Sequence, residues 1–447
     1  MLAAWNIVAV RGRLVAALAF LLVLSACLVA RASVDIQQVR SKSGVEAWLV
    51  EDYSVPIVTI RFSFDRGSAA DPEGKEGLAN LMTSLFDEGA GDLDSEAFQI
   101  RLDDVGAEMS FSAGRDNIYG TMRVLADSRA EAFDLLRLAM TQPRFDDGPI
   151  GRMKSQIVAG IRASENDPNT LASRKWLRAL YGDHPYARPT DGTVETLNTI
   201  TPDDLRKFHR DTFVRDGLHV AVVGAIDAET LATELDRIFG ELPESSSLPP
   251  IPDVAQKLDQ EVRYDYPLPQ ARLRLSYPGL SRDDPDFLAA ALVNHILGGG
   301  SFTSRLFKEV REKRGLAYDI DSGLSTSQHS NALMIGTATR ADKAEETLGV
   351  IRDVVRRMAE EGPTAEELEA AKKYVIGAYA VNNLNSSASI ATTLVELQND
   401  DLGIDYIDRR ADLINAVTLE ETKAVARRLL SAEPAVLIVG PAPKPAN

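Results

Sequence analysis

The sequence predicts an α+β fold built from two similar domains, each a layered sheet with helices on one face. Three observations lead there. Strand-type alternation opens each half of the chain, helical runs follow each strand region, and a set of landmarks recurs at a nearly constant offset. At 447 residues the chain exceeds what one hydrophobic core usually organises, which is roughly 150 to 200 residues per domain. Its 45% hydrophobic and 26% charged residues match a globular composition and exclude disordered, collagen-like and multi-span membrane classes.

The N-terminus departs from that composition. Arg11 and Arg13 precede an uncharged apolar run from Leu14 to Ala30, and Ala30-Arg31-Ala32 follows. A basic start, a run too short for a comfortable span and a small-x-small ending predict a signal peptide over residues 1–32, cleaved after Ala32. Leu24-Ser25-Ala26-Cys27 also looks like a bacterial lipobox, which would lipidate Cys27 and anchor the protein to a membrane. Soluble release, periplasmic or secreted, is favoured because the first apparent strand follows almost at once. Cys27 is the single cysteine, so the folded body is expected to have neither disulfides nor a thiolate metal site.

In the first half, Val55 to Phe64 alternates as a half-buried strand does, and a helix is expected from Glu76 to Asp87. Gly148-Pro149 precedes a helical run from Gly151 to Ser164. Thr201, with Asp204 three residues on, resembles a capping box, and Leu218 to Gly224 is an apolar run of buried-strand type. The second half repeats this order: a strand at Ala271 to Tyr277, a helix at Pro285 to Leu297, Gly362-Pro363 before a helix at Ala365 to Ala380, Thr418 with Glu421, and the strand Ala435 to Gly440. Thr201 and Thr418 are 217 residues apart, Gly224 and Gly440 216. Between the halves, Leu242 to Pro252 is rich in proline and serine and lacks periodicity. The expected organisation is therefore a domain over 33–241, a linker over 242–256 and a domain over 257–447.

The charge and the polar residues exclude several chemistries. The formal net charge is −17, and residues 1–32 contribute three arginines and no acid, so the mature body is more anionic still. No basic stripe for nucleic acid is present. The five histidines, His184, His209, His219, His295 and His329, include no pair four residues apart that would put two imidazoles on one helical face for a metal. His219, inside an apolar strand, is expected to be a packed core histidine. No G-x-S-x-G string marks a nucleophilic serine. Gly298-Gly299-Gly300-Ser301 lacks the Gly-Lys-Ser/Thr ending of a phosphate loop and follows a helical pattern, so it is expected to be a flexible helix exit.

Gly77-Leu78-Ala79-Asn80-Leu81-Met82-Thr83-Ser84 resembles the insulinase/pitrilysin segment G-L-A-H-F-L-E-H, whose inverted motif H-x-x-E-H supplies two zinc ligands and a general base. Asn80, Thr83 and Ser84 stand at those three positions. Ile161 to Pro168 resembles the family stretch I-R-M-S-E-D-D-P, and the two glutamates before it, one of them the third zinc ligand, correspond to Ala159 and Gly160. Gly182 to Pro189, Val222 to Asp227, and above all Leu297 to Phe307 running into Val310 to Tyr318 keep the rest of the family pattern, over about residues 38 to 441.

This resemblance implies mostly antiparallel sheets, two homologous domains forming half of a clamshell, and no zinc bound by this chain. It also implies that Arg311 and Tyr318, seven residues apart, occupy the places of an arginine and a tyrosine that reach the substrate at a zinc site. A guanidinium and a phenol suit a peptide carbonyl and its developing oxyanion, which need hydrogen-bond donors. The implied function is that of a substrate-binding, non-catalytic subunit whose partner carries H-x-x-E-H and the zinc. The alternative is a periplasmic peptide-binding or scaffold protein that acts without hydrolysis.

Overall fold

Continuous apolar runs form central strands, and alternating runs form the strands beside them. The computed structural model describes residues 34–442; the signal-peptide reading of 1–32, with Cys27, lies outside them. Strands β1 (Gln37–Arg40), β2 (Glu46–Glu51), β3 (Ile57–Asp65), β4 (Glu108–Ala113), β5 (Asn117–Leu125) and β6 (Leu218–Gly224) make one sheet in the order β1-β2-β6-β3-β5-β4. Strands β7 (Glu261–Asp265), β8 (Gln270–Pro278), β9 (Ala317–Ser325), β10 (Ala332–Arg340) and β11 (Ala435–Gly440) make a second, ordered β7-β11-β8-β10-β9. Only β2/β6 and β11/β7 pair in parallel. Removing β1 leaves two identical topologies, with the last strand of each half inserted between the first two. That agreement gives the sequence repeat its structural meaning: two copies of one α/β unit.

Helices cover one face of each sheet and supply its core. Phe62, Phe64, Phe86 and Phe239 are fully buried in the first half, with ring centroids 5.2 Å apart for Phe62 and Phe239. Leu273, Leu275, Ile351, Val354 and Leu429 fill the second. Both predicted capping boxes form: Asp204 N–H donates to Thr201 Oγ1 at 3.2 Å and Thr201 N–H to Asp204 Oδ2 at 2.8 Å, and Thr418 and Glu421 repeat the exchange at 3.3 and 2.7 Å.

The opposite face of each sheet is partly covered by a helix from the other half. Helix Pro168–Tyr181 presses Ala172, Trp176 and Leu180 against Ala435, Leu437 and Val439 of β11. Helix Ser387–Asn399 packs on β6 and β3, where Gln398 Nε2 donates to Val220 O at 3.1 Å and Ser63 Oγ to Asn399 Oδ1 at 2.8 Å. This reciprocal exchange joins the halves through buried apolar area, the main favourable term in association.

Several elements differ from their expected bounds. The helix expected at Glu76 to Asp87 spans only Leu78–Thr83, because Gly77 enters it at φ 93° and i to i−3 turns at Ser84 and Leu85 end it. The helix expected from Gly151 begins at Asp147 and places Pro149 in its first turn, where no N–H is needed. The segment 242–256 has no helix or strand, yet it is pinned. Pro249 O accepts from Arg66 Nη1 at 2.6 Å, Pro252 O pairs with His184 Nε2 at 2.9 Å, and Val254 N–H donates to His329 O at 2.8 Å. Among the described residues no helix is long and apolar enough to cross a membrane.

Candidate functional site

The short helix Leu78–Thr83 keeps its position through its N-terminus. Buried Asp71 accepts the N–H groups of Gly77 at 2.8 Å and Ala79 at 2.9 Å, and burial raises its carboxyl to about 7 against those bonds. A Cβ at Gly77 would stand 2.7 Å from Asp191 O, so only glycine allows the helix to meet that loop. The four motif positions then separate. Asn80 and Gly160 line one cleft of about 690 Å³, with Asn80 Nδ2 3.4 Å from Asp191 Oδ1. Thr83 and Ser84 turn inward, their hydroxyls donating to Asn80 O at 3.0 Å and Leu81 O at 2.7 Å. An amide, two engaged hydroxyls and a bare Cα offer neither imidazole nor carboxylate to a zinc ion. Among the described residues no cluster of three or more His, Cys, Asp or Glu could hold a metal.

Arg311 and Tyr318 lie elsewhere, on the second half. Arg311 sits in the π-helical turn Phe307–Glu312 and Tyr318 near the start of β9. The Arg311 guanidinium is 4.7 Å from the Phe307 ring centroid, 4.6 Å from that of Tyr318 and 5.8 Å from that of Phe302. Aromatic faces hold the cation without consuming its N–H groups. The Arg311 side chain has no hydrogen bond or ion pair among the described residues, and Tyr318 is 82% exposed. Both line an open basin of about 930 Å³ on the uncovered face of the second sheet, together with Arg272, Arg274 and Asp321. This basin and the Asn80 cleft share no lining residue.

Gly298 is buried, Gly300 half-buried and Gly299 exposed, so the expected flexible exit is a packed turn at its first glycine. Helix Phe287–Asn294 passes into a π-turn at His295–Gly299 that lies against β9. A Cβ at Gly298 would come within 2.5 Å of Ser322 Oγ and 2.7 Å of Ser322 N, and one at Gly300 within 2.8 Å of His295 O. Gly298 allows close approach of this turn to the β9 backbone. Farther along, Arg305 grips Glu367 with two bonds of 2.8 and 2.6 Å, which holds that carboxyl down at about 2. Gly298→Ala should destabilise the chain by about 1 to 3 kcal/mol through overpacking, as measured by urea denaturation. An unchanged midpoint would mean that the turn yields freely.

His184 caps a turn, His209 is buried, and His219 is half-buried beside Asp65, with its pKa lowered by burial. Sequence reading missed Arg115, Arg174 and Arg188, which line the Asn80 cleft. They come from a loop, a helix and a turn far apart in the chain, and no local motif links them.

A family model described as Insulinase (Peptidase family M16) matches residues 47–194, and one described as Peptidase M16 inactive domain matches residues 199–375. The crystal structure of a peptidase M16 inactive domain from Pseudomonas fluorescens is similar with a TM-score of 0.85 and 30% identity, over 92% of this chain and 100% of that one. The uncharacterized zinc protease YmxG of Bacillus subtilis is 25% identical over 411 residues, 91% of this chain and 98% of that protein. The non-peptidase homolog YmxG of Helicobacter pylori is 24% identical over 364 residues, 81% and 84% of the two chains. With both domain models matched and a whole solved chain covered at 30% identity, this protein belongs to the insulinase family of peptidases, M16.

Proposed function

We propose that this chain is the non-catalytic, substrate-binding subunit of a secreted zinc metallopeptidase heterodimer that acts on peptides or unfolded protein segments. The partner is an insulinase-family chain carrying H-x-x-E-H and the zinc. The observation that carries the reading is Arg311 stacked beside exposed Tyr318, with side-chain hydrogen-bond donors that no residue among those described engages, in a basin that shares no lining residue with the Asn80 cleft. Donors prepositioned in this way stabilise a developing oxyanion without having to reorganise during the reaction. The chain without its partner has only the means to bind.

Affinity purification of the tagged mature chain, followed by mass spectrometry, tests the pairing. Stoichiometric recovery of a chain with H-x-x-E-H is the expected result. The isolated protein should contain well under one zinc per chain by elemental analysis and leave unstructured peptides uncut, because its motif positions lack ligands. One tightly held zinc per chain, or recovery of nothing but copies of itself, would overturn the heterodimer and favour a stand-alone binding or scaffold protein.

A further inference from the structure

We propose that the cleft around Asn80 and Gly160 is a binding site for a peptide carboxylate, held by Arg174 and Arg115. Where a zinc-binding relative would need ligands for a cation, this chain supplies cations instead. The cleft is lined by three arginines, Arg115, Arg174 and Arg188, and two acids, Asp167 and Asp191. The acids are already engaged. Asp167 caps helix Pro168–Tyr181, accepting from Thr170 N at 3.1 Å and Thr170 Oγ1 at 2.9 Å, while Asp191 accepts from Asn80. Arg188 is 3.8 Å from Glu76 and also donates to Asp71 O.

Neither of the other two arginines has an acidic partner among the described residues, and the lining, with three arginines against two aspartates, carries a formal charge of +1. Arg115 stacks on Tyr186 and gives one N–H to Tyr186 O at 2.9 Å, a neutral acceptor that leaves its charge uncompensated. Half-buried Arg174 has no hydrogen bond or ion pair among the described residues. A carboxylate would satisfy the planar fork of an unpaired guanidinium with two charge-assisted bonds. The volume of about 690 Å³ lies in the usual range for ligand pockets, and Ile157 and Leu177 add an apolar wall that suits the side chain of a peptide residue and gives an inorganic anion nothing. The site belongs to this chain alone and does not depend on the heterodimer reading.

A peptide supplies a carboxylate from its C-terminus or from an acidic side chain, and the test separates the two. Fluorescence anisotropy of the isolated chain would use three N-terminally labelled pentapeptides: an apolar one with a free C-terminus, its C-terminal amide, and the amide with one residue changed to glutamate. The free-terminus peptide should bind, and both amidation and Arg174→Ala should weaken it at least about tenfold, without adding when combined. Lys175→Ala removes the same charge from the same helix outside the cleft and should change affinity by less than about twofold. Recovery of binding by the glutamate amide would extend the site to side-chain carboxylates. Equal affinity for the free and amidated peptides, no binding of any peptide, or equal loss in the Arg174 and Lys175 variants would each overturn the site. Arg174 anchors nothing, so its variant should melt with the wild type, and a lowered melting temperature would reassign it to the fold.

Discussion

Arg311→Ala and Tyr318→Phe should each lower peptide hydrolysis by the reconstituted complex roughly 100-fold or more, with partner binding intact. Loss of one prepositioned donor to a developing oxyanion costs on the order of 3 kcal/mol in the transition state. The same substitutions should barely affect folding. Tyr318 is 82% exposed, and its phenylalanine variant keeps the ring that faces the Arg311 guanidinium at 4.6 Å. Arg311→Ala removes a half-buried stacked cation that belongs to no ion pair among the described residues, a contact worth about 1 kcal/mol. Turnover of a fluorogenic peptide, with complex formation followed by size-exclusion chromatography, reads both effects. Unchanged turnover in an intact complex would make this chain a scaffold. Loss of the complex would move the two residues into the subunit interface.

The strands and caps were legible because their signals are local. Leu218–Gly224 and Ala435–Gly440 have the bounds their apolar runs predict, and Thr201 and Thr418 cap as their partners three residues on require. What the sequence left hidden depends on contacts between distant segments. The residues of helix Pro168–Tyr181 that reach farthest into a core, Trp176 among them, pack on a strand more than 250 residues away, so the reciprocal exchange has no signature in periodicity. Gly298 was read as freedom of the chain and is instead a place where Ser322 leaves no room for a side chain. The loss of zinc ligands could be read residue by residue from a motif. The arginines lining the same cleft, from three separate elements, could be found only once the chain was folded.

Acidification should expose the cost of keeping His209 neutral. The ring is 8% exposed, stacks on Phe213 at 4.8 Å beside Phe86 and Phe145, and pairs through Nε2 with Met140 O at 2.9 Å. Burial lowers its pKa from 6.5 to about 4. Above 6.5 the imidazole is neutral in both folded and unfolded chains and contributes no pH dependence. Between about 6.5 and about 4 the unfolded chain takes up a proton that the folded one refuses, so stability falls as pH falls, by about 3 kcal/mol in total at 1.36 kcal/mol per unit. Asp71 acts in the opposite sense over much of that window. Its carboxyl, raised from 3.8 to about 7, is protonated in the folded chain while still ionised in the unfolded one, so acidification favours folding there. The net curve therefore mixes the two, and a difference between variants separates them. His209→Phe suits the surrounding rings but leaves Met140 O without its partner, a cost of about 1 to 3 kcal/mol that does not vary with pH. Urea denaturation should find the variant less stable than wild type at pH 7. At pH 4.5 that deficit should shrink by about 2 to 3 kcal/mol, enough to cancel or reverse it, because only the wild type still has an imidazole to protonate on unfolding. A deficit equal at both pH values would mean that His209 takes up its proton in the folded chain at an ordinary pH.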